Sequence, residues 1–353
     1  MPFKPAARNR KSAEPMKPLV DPAGWTASEL AASDDWIYEL SRAEQDDIRQ
    51  AVSTIEKRGL SILDITQNNF QLPVLEAGLQ MMYDELLEGR GFCLIRGVPV
   101  EDFTKEQTAI AFWGIGTRFG SALSQNTKGH MLGHVKALGV DYNDQLVRGY
   151  QTADEMRFHS DQCDYVALLC LQPAKMGGAS RIASAVTLYN ELLKSDPDLM
   201  EELVDDFYFS KYDESKSGKP SWYKMPVFSF HDDYFTSRGI GARIMKAQNI
   251  PEVPKFTERR KRAVETYHAK VREIYFDMTF QPGDIQVLHN HVSLHSRTAF
   301  EDWPDAERKR HLMRLWFGDD HGRPTVPGFR KELKGIVVKD AELSAPIDNF
   351  EAV

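Results

Sequence analysis

The sequence predicts a mixed β fold with helical insertions, in which short strands build a sandwich or barrel of jelly-roll type. From Ser121 onward, short apolar or alternating runs are separated by turns that contain Gly, Pro and Asp. Two segments of helical character, Val186 to Val204 and Thr257 to Phe276, interrupt these runs. The chain has 353 residues and shows no repeat or linker that would divide it. We therefore expect an N-terminal arm over residues 1–35 and one domain over residues 36–353.

The arm is rich in Pro, Ala and charged residues and has no sustained period, which is typical of a tail or of a segment that lies along the surface. The first predicted helix runs from Ser41 to Arg58. Ser41 and Glu44 have the spacing of a capping box, and Gly59 ends the pattern. One face of this helix carries its apolar residues: Ile48, Val52 and Ile55.

The next elements are predicted to alternate between strand and helix. The apolar run Leu60–Ile65 predicts a short strand. Pro73 suits the first turn of a helix that runs to Leu87. Backbone N–H groups of a first turn have no partner within the helix, so a proline, which lacks this group, loses no hydrogen bond there. Phe92–Val98 then predicts a buried strand that Pro99 ends, and Thr104–Phe119 predicts a third helix.

The predicted strands beyond Ser121 are short, and turn residues bound each of them. In chain order they are Met131–Leu138, Leu146–Gln151, Tyr165–Gln172, Ser180–Ala183, Asp206–Tyr212, Lys224–Phe230, Ile285–Leu288 and His311–Phe317.

Composition and charge exclude several classes of partner. The net charge is −8, with 52 acidic against 44 basic residues, whereas a nucleic-acid groove or an anionic membrane surface needs a basic excess. No apolar run approaches the roughly 18–20 residues that span a bilayer, and Met1–Pro22 lacks the apolar core of a secretory signal. Three cysteines cannot close a disulfide framework: Cys93, Cys163 and Cys170. We expect a cytoplasmic protein with a small-molecule partner; whether several copies of the chain associate is left open.

A first candidate for chemistry is the pair His159 and Asp161, at the start of a predicted strand. Side chains two residues apart on a strand project from the same face, so an imidazole and a carboxylate could converge on one cation. A hydrogen-bonded polar pair at a strand end is the alternative interpretation.

A second imidazole could come from the segment after the turn at residues 281–284. A strand-like run leads from this turn to His289, His291 and His295, and on spacing alone any of the three could be a ligand. Two histidines and one carboxylate on one side of a metal form the facial triad of non-haem Fe(II) oxygenases, which leaves positions open for a chelating co-substrate and for O₂.

A chelating dicarboxylate would need a forked, permanently charged guanidinium nearby. Arg310 and Arg314 lie four residues apart on one predicted strand and so share a face. A basic run at the surface is the alternative for Arg310, which follows Arg308 and Lys309. Arg314 is embedded in apolar residues, and a charge in such a strand needs a partner or a ligand.

Together these residues carry a family resemblance. The sequence resembles the taurine dioxygenase (TauD/TfdA) family of Fe(II)- and 2-oxoglutarate-dependent dioxygenases from about Gly91 to Phe317. The resemblance implies a core of the double-stranded β-helix (jelly-roll) type with helical insertions. The motifs that carry it are His159-x-Asp161, Gly177-Gly178-x-Ser180, Pro282-Gly283-Asp284, Asn290, His295-x-Arg297-Thr298 and Arg310 to Arg314.

The resemblance also implies roles for individual residues. His159 and Asp161 match the proximal iron ligands, and His295 matches the distal one, because it precedes the Arg-Thr that follows this ligand in the family. Arg310 matches the arginine that holds the far carboxylate of 2-oxoglutarate, and Ser180 stands where the family often has a threonine that contacts the same group.

Two departures concern this co-substrate site. Serine replaces threonine at Ser180, which keeps a hydroxyl donor. The stretch Phe300–Lys309 is longer than in taurine dioxygenase, which leaves open the choice between Arg310 and its neighbours.

The implied function is oxidation of an unactivated C–H bond by Fe(II), 2-oxoglutarate and O₂, as hydroxylation, desaturation or oxidative cyclisation. Arg314 matches a second family arginine directed toward the active site, which would suit an acidic group on substrate or co-substrate. Asp164 could face an ammonium group, or be a turn carboxylate. Gln125 and Tyr150 would lie near the metal if their segments flank His159, or else make ordinary turn and ladder hydrogen bonds.

An amino acid or a related carboxylate is therefore the expected substrate class, bound in a catalytic domain over residues 36–353. Two other functions remain open at this point. One is a jelly-roll metal-dependent hydrolase or isomerase, which would use the metal as a Lewis acid and would need neither Arg310 nor Ser180. The other is a non-catalytic 2-oxoglutarate-binding protein.

Overall fold

The structure is a computed structural model that describes residues 3–138, 152–211, 221–336, 338 and 341–347. Several helices begin at a Ser or Thr whose hydroxyl accepts a backbone N–H of the first turn: Thr26, Ser41, Thr104, Ser184 and Thr257. Such a cap is worth about 1 kcal/mol. The helices are α1 (Ala27–Ala31), α2 (Arg42–Arg58), α3 (Glu76–Glu88), α4 (Lys105–Gly116), α5 (Ala185–Ser195), α6 (Pro197–Val204), α7 (Ala242–Ala247), α8 (Glu258–Ile274) and α9 (Pro327–Glu332).

The strands are short, as the turn-rich sequence predicts. They are β1 (Ile37–Glu39), β2 (Phe92–Arg96), β3 (Ser121–Ala122), β4 (Gly133–Val135), β5 (Met156–His159), β6 (Tyr165–Gln172), β7 (Met176–Gly177), β8 (Ser180–Ser184), β9 (Asp206–Ser210), β10 (Trp222–Pro226), β11 (Phe228–His231), β12 (Tyr234–Ser237), β13 (Phe276–Met278), β14 (Ile285–His289), β15 (Ser293–Arg297), β16 (Phe300–Glu301) and β17 (His311–Gly318).

Two sheets organise the chain. The larger has the order β1-β2-β14-β6-β17-β3, with β4 also paired to β17; apart from the parallel pair β1–β2, neighbours in it are antiparallel. The smaller has the order β13-β8-β15-β5 and is antiparallel throughout. Further two-stranded pairs are β9–β10, β11–β12 and β7–β16.

Apolar side chains form three layers around these sheets. Helices α2, α3 and α4 pack on one face of the larger sheet, and α5, α6 and α8 pack on one face of the smaller sheet. A third cluster joins the remaining faces of the two sheets: it contains Val166, Leu288, Leu312 and Trp316 of the larger sheet and Ile182 and Met278 of the smaller. The architecture is therefore mixed α/β with several sheets, as predicted.

Strand β17 shows how the sequence assigns side chains to these layers. Met313, Leu315 and Phe317 belong to the layer covered by helices. The alternate residues, Leu312 and Trp316, belong to the layer between the sheets. Because side chains alternate along a strand, Arg314 lies on the same face as Leu312 and Trp316. This inner face carries the polar groups of the site described below.

Local signals predicted some element boundaries well. Helix α2 has the expected capping box between Ser41 and Glu44 and ends at Gly59, whose φ is +61°. Strand β6 has the predicted bounds. The Val186–Val204 insertion consists of two helices, because Pro197 starts α6 as a first-turn residue and cannot continue α5.

Other predictions were wrong or fall outside the described residues. Leu60–Ile65 is not a strand: it contains a 3₁₀ turn, Ile62–Asp64, where the Ser61 hydroxyl donates to Asp64 Oδ2 at 2.6 Å. Local polar bonding of this kind competes with strand formation. Lys224–Phe230 spans two strands, β10 and β11, rather than one. The predicted strand Leu146–Gln151 lies outside the described residues.

The N-terminal residues lie along the folded chain. Among residues 3–35, four apolar side chains are buried: Leu19, Ala23, Trp25 and Leu30. The Trp25 indole N–H donates to the carbonyl of Arg90 at 3.0 Å. In the described part of the chain, no helix is long and apolar enough to cross a membrane.

Candidate metal centre

His159 and His295 meet because their strands pair. They occupy directly opposite positions in the antiparallel pair β5–β15, and residues opposite one another in such a pair have neighbouring side chains. Their ring centroids are 4.3 Å apart. Residues more than a hundred positions apart in the chain are thereby brought together.

Asp161 joins them from a loop rather than from a strand. The sequence placed the His-x-Asp pair at the start of a strand, and this is wrong, because β5 ends at His159. Asp161 leaves the ladder, since Asn290 Oδ1 accepts its backbone N–H at 3.1 Å and Arg238 Nη1 donates to its carbonyl at 2.9 Å. These two contacts turn the carboxylate toward the imidazoles.

The three side chains have the spacing of a metal site. Their ligand atoms all lie within 4.8 Å of one another. Asp161 Oδ1 is 4.0 Å from His159 Nε2, and Oδ2 is 3.8 Å from His295 Nε2. His159 Nδ1 lies 2.9 Å from the carbonyl of Arg157; this nitrogen must carry the proton, because a carbonyl only accepts, and so Nε2 presents its lone pair to the centre.

The electrostatics of the centre keep its groups in ligand form. Burial lowers the pKa of His295 to about 3, so its imidazole is neutral at neutral pH. Burial acts to raise the pKa of Asp161, but Arg314 and the two imidazoles outweigh it, so the pKa is lowered and the carboxylate is charged. Neutral imidazoles and a carboxylate are the donor set that a ferrous ion takes in a facial triad.

The other two candidate histidines have different neighbours. His291 Nε2 lies 3.0 Å from Asp164 Oδ1, and His289 packs against the ring of Tyr165, with centroids 4.8 Å apart. Within the residues that the structure describes, the group able to hold a metal contains His295 and neither of these two. Spacing alone left three histidines as possible ligands, and the register of β15 brings His295 to the site.

A cavity opens beside the three side chains. Its polar wall includes Ser180, Arg310 and Arg314, and its apolar wall comes from both sheets and from Phe280. The lining residues are Val135, Met156, His159, Asp161, Val166, Leu168, Ser180, Phe280, His295, Ser296, Arg297, Arg310, Leu312 and Arg314.

Arg310 is a buried cation with spare hydrogen-bonding capacity. It is 3% exposed, and burial lowers its pKa to about 10, which leaves it charged at neutral pH. Among the described residues no carboxylate forms an ion pair with its guanidinium, and Nη1 has no hydrogen-bond partner. A buried charge is costly unless paired, so the side chain fits an anionic ligand. Gly178 leaves room for it: a Cβ there would lie 3.0 Å from Arg310 Nε.

Ser180 lies on the same wall of the cavity. Its hydroxyl donates to Gln286 Oε1 at 3.1 Å, and it is opposite Arg297 in the β8–β15 pair. A carboxylate only accepts, so Ser180 could bind one by rotating its single O–H from Gln286 toward the ligand.

Arg314 has the partner that its apolar surroundings require. Its Nε donates to Gln125 Oε1 at 2.8 Å, and its Nη1 lies 3.8 Å from Asp161 Oδ2. Its guanidinium also lies over the ring of Trp316, 4.9 Å from the centroid. Gln125 therefore touches the site through Arg314, and it is not among the residues that line the cavity.

Asp164, another candidate, is not brought to the cavity. The carboxylate of Asp164 contacts His291 and accepts the backbone N–H of Asp319 at 2.9 Å, so it serves to connect β6 with the end of β17. Tyr150 lies outside the described residues.

Sequence reasoning missed two residues that hold Asp161. The Trp316 indole N–H donates to Asp161 Oδ2 at 2.9 Å. Arg238 binds the carbonyl of Asp161 and both oxygens of Ser160. Trp316 could have been found, because it is two residues beyond Arg314 and so shares its face. Nothing in the sequence around Arg238 signals its role.

The fold is that of known oxygenases. Over 80% of this chain, a structure of asparagine oxygenase in complex with Fe(II), 2S,3S-3-hydroxyasparagine and succinate superposes with a TM-score of 0.62, at 16% identity and 93% coverage of that chain. The non-haem iron oxygenase OrfP, in complex with Fe and alpha-ketoglutaric acid, gives 0.62 at 16% identity, over 80% of this chain and 94% of that one.

Curated proteins with similar sequences cover most of the chain. FR-33289 synthase of Streptomyces rubellomurinus is 29% identical over 314 residues, which are 87% of this chain and 92% of that protein. The taurine hydroxylase-like protein SAT17 of Stachybotrys chartarum is 25% identical over 338 residues, 92% of this chain and 86% of that protein. The family described as "Taurine catabolism dioxygenase TauD, TfdA family" matches residues 57–316. With this match over most of its length and the three ligand side chains in place, the chain belongs to the TauD/TfdA family of Fe(II)- and 2-oxoglutarate-dependent dioxygenases.

Proposed function

We propose that this dioxygenase oxidises an unactivated C–H bond of a small polar substrate, an amino acid or a related carboxylate. The observation that carries the proposal is the juxtaposition, around one cavity, of the triad His159, Asp161 and His295 with the buried cation Arg310. A metal-dependent hydrolase or isomerase would have no use for a buried arginine that forms no ion pair with a carboxylate of the described residues.

The ferrous ion would be held by Nε2 of His159, Nε2 of His295 and the carboxylate of Asp161. These donors fit the ion, because imidazole nitrogens and a carboxylate are the facial-triad set and the carboxylate supplies one compensating charge. When bound, the iron with 2-oxoglutarate and O₂ supplies the oxidising power, and succinate and CO₂ are the co-products.

Arg310 and Ser180 would hold the far carboxylate of 2-oxoglutarate. The fork of a guanidinium matches a carboxylate in geometry and charge. Burial strengthens the interaction because it removes competing water. The open Nη1 of Arg310 and the hydroxyl of Ser180 lie on the same wall of the cavity, so one carboxylate can be contacted by both.

The substrate would present an acidic group to Arg314. This guanidinium lines the cavity beside Asp161, and Gln125 orients it. The amino acids bound in the structures of the fold neighbours, 3-hydroxyasparagine and (3S)-hydroxy-L-Arg, support an amino acid or a related carboxylate. The contacts of Asp164 give no support to an ammonium site there. Hydroxylation, desaturation and oxidative cyclisation share this geometry, and product analysis distinguishes them.

We also propose that the two sheets form the double-stranded β-helix that the family resemblance implies. Support comes from the antiparallel pairing in both sheets, from the apolar layer between them, and from the fold similarity to asparagine oxygenase and OrfP. The metal centre then lies between the two sheets.

The test is a turnover screen that follows succinate. Amino acids and small carboxylates or sulfonates are incubated with the protein, Fe(II), ascorbate, 2-oxoglutarate and O₂, and product mass identifies the reaction. A substrate should raise succinate formation well above the background without substrate. Product formation that continues without O₂, or without 2-oxoglutarate, would exclude the proposed reaction and favour a Lewis-acid hydrolase or isomerase.

A further inference from the structure

The two oxygens of Asp161 have different surroundings. Oδ2 accepts the indole N–H of Trp316 at 2.9 Å and lies 3.8 Å from both Arg314 Nη1 and His295 Nε2. Oδ1 accepts no hydrogen bond from the described residues and lies 4.0 Å from His159 Nε2. The carboxylate thus presents one oxygen that is already engaged and one that is open.

We propose that Trp316 is a positioning residue. Its indole N–H holds Oδ2 of Asp161 in a hydrogen bond, so that only the other carboxylate oxygen binds the ferrous ion. The inference rests on the proposed function of the triad, and it goes further by assigning a role to a residue outside the triad and outside the co-substrate site.

The number of donated oxygens matters because the open positions on the metal are few. An octahedral ion takes six donor atoms. Two imidazoles and one carboxylate oxygen leave three positions, which 2-oxoglutarate as a chelate and O₂ would fill. If both oxygens of Asp161 bound the metal, one of these three positions would be lost. A hydrogen bond that holds one oxygen back therefore keeps a position for O₂ beside the 2-oxoglutarate chelate.

Trp316 is suited to this role by its chemistry. An indole N–H only donates and does not titrate, so its preference for a carboxylate oxygen is the same at every working pH. Arg314 is a poorer candidate, since its Nη1 is beyond hydrogen-bond distance from Oδ2 and its Nε is engaged by Gln125.

Trp316 is also held rigidly. It lies opposite Val166 in the β6–β17 pair, is 4% exposed, and packs in the apolar layer between the sheets. The guanidinium of Arg314 covers one face of its ring. A group that positions a metal ligand works best on such a fixed element, because a mobile side chain would not hold the N–H in line with Oδ2.

The test compares Trp316→Phe with the wild type, with Mn(II) as an oxygen-stable probe metal. Calorimetry measures Mn(II) affinity first and then 2-oxoglutarate affinity of the Mn(II)-loaded protein, so no turnover is needed. We expect the variant to retain binding of Mn(II) and of 2-oxoglutarate, because two positions remain for the chelate even when both oxygens of Asp161 bind the metal. A crystal structure of the Mn(II)-loaded variant should show both oxygens of Asp161 at the metal.

Trp113→Phe is the matched control. Trp113 is also buried, and its indole N–H donates to a backbone carbonyl, that of Ile65, at 3.3 Å among the helices of the outer layer. This variant should leave both affinities unchanged. Should Trp316→Phe fold poorly, benzothienylalanine at position 316 replaces only the N–H by sulfur and keeps the shape of the ring.

The possible outcomes separate the hypotheses. Wild-type affinities together with a single Asp161 oxygen at the metal in the variant would overturn the role of Trp316. Parallel loss of Mn(II) and 2-oxoglutarate binding would also overturn it, because that result assigns Trp316 to packing of the whole site. If the wild type itself binds no Mn(II) or Fe(II), the proposed function fails before this inference is reached.

Discussion

At the scale of single residues, the choice of metal ligands is directly testable. Asp161→Ala should abolish binding of Fe(II), because removing the charged donor leaves two neutral imidazoles. Metal-dependent succinate formation should be lost with it. Anaerobic titration with Fe(II) measures the first effect, and an enzymatic succinate assay measures the second.

The matched control for this prediction is His291→Asn. His291 was a candidate ligand on spacing alone, but it pairs with Asp164. This variant should retain Fe(II) affinity even if its stability falls. Loss of Fe(II) binding in His291→Asn, with retention in Asp161→Ala, would mean that the metal lies elsewhere.

A second prediction at this scale concerns Arg310. Arg310→Ala should raise the Kd of 2-oxoglutarate by roughly tenfold to a hundredfold, since a charge-assisted hydrogen bond is worth about 1.5–3 kcal/mol. Fe(II) affinity should change little. Titration of the metal-loaded protein with 2-oxoglutarate under anaerobic conditions gives both values.

Arg308 is the control for Arg310, because spacing left open which residue of this basic run binds the co-substrate. Arg308 is exposed and lies over the ring of Trp303, 3.7 Å from its centroid. Arg308→Ala should leave the Kd of 2-oxoglutarate at the wild-type value. A larger effect at Arg308 than at Arg310 would reverse the assignment.

Residue types and spacing predicted His159 and Asp161 and left three histidines open for the third ligand, and the family resemblance implied His295, which the structure brings to the metal centre. They did not predict how Asp161 is held. Trp316 contacts Asp161 because its side chain lies on the inner face of β17. Arg238 contacts Asp161 because the end of β12 lies close to the loop after β5. Contacts of this kind depend on tertiary packing, which no local pattern encodes.

At the scale of elements, the two faces of β17 contribute to different properties, one to stability and the other to binding. Leu315→Ala removes a fully buried side chain from the layer covered by helices, and should lower the free energy of unfolding by about 2–5 kcal/mol. The affinity for 2-oxoglutarate should be retained, because Leu315 points away from the cavity that Arg310 and Arg314 line. Urea unfolding and co-substrate titration of the same sample test the two statements.

An Arg314→Met variant on the opposite face provides the contrast to Leu315→Ala. It should impair binding at the cavity more than it lowers stability. If Leu315→Ala weakens 2-oxoglutarate binding as strongly as Arg310→Ala does, the two faces of β17 are not independent.

Element boundaries were predictable where a local signal marks them. The ends of α2 follow from Ser41, Glu44 and Gly59, whose interactions lie within the helix itself. Leu60–Ile65 carries no comparable signal, since a short apolar run fits a strand or a turn equally well. Its conformation follows from the hydrogen bond between Ser61 and Asp64 and from neighbours such as Trp113, which donates to the carbonyl of Ile65.

At the scale of the whole molecule, the N-terminal segment is joined to the far end of the chain by buried charges. Asp21 accepts from Arg10 Nε at 2.8 Å, and its Oδ2 lies 3.2 Å from Arg323 Nη1. Arg10 also pairs with Glu88 of α3. Arg323 is 1% exposed, so this ion pair is shielded from water. The sequence predicted an arm over residues 1–35 but gave no sign of this network, whose members are up to three hundred residues apart.

Asp21→Asn should therefore destabilise the protein by about 3–5 kcal/mol, because it leaves Arg323 buried with an uncompensated charge. Replacing both partners, as Asp21→Leu with Arg323→Met, should cost less than the sum of the single changes. Urea unfolding of the four proteins in this double-mutant cycle gives the coupling energy.

The same pair predicts a pH dependence with a definite sign. Burial acts to raise the pKa of Asp21, but Arg323 and Arg10 outweigh it and hold the pKa below its ordinary value. A carboxylate with a depressed folded-state pKa adds stability above its unfolded pKa of about 3.9, and that stability is lost as pH falls through the folded value. The stability gap between the wild type and Asp21→Asn should thus be constant near neutral pH and shrink below about pH 4. A gap that persists unchanged in strong acid would show that the loss in Asp21→Asn arises from altered packing rather than from the charge on Arg323.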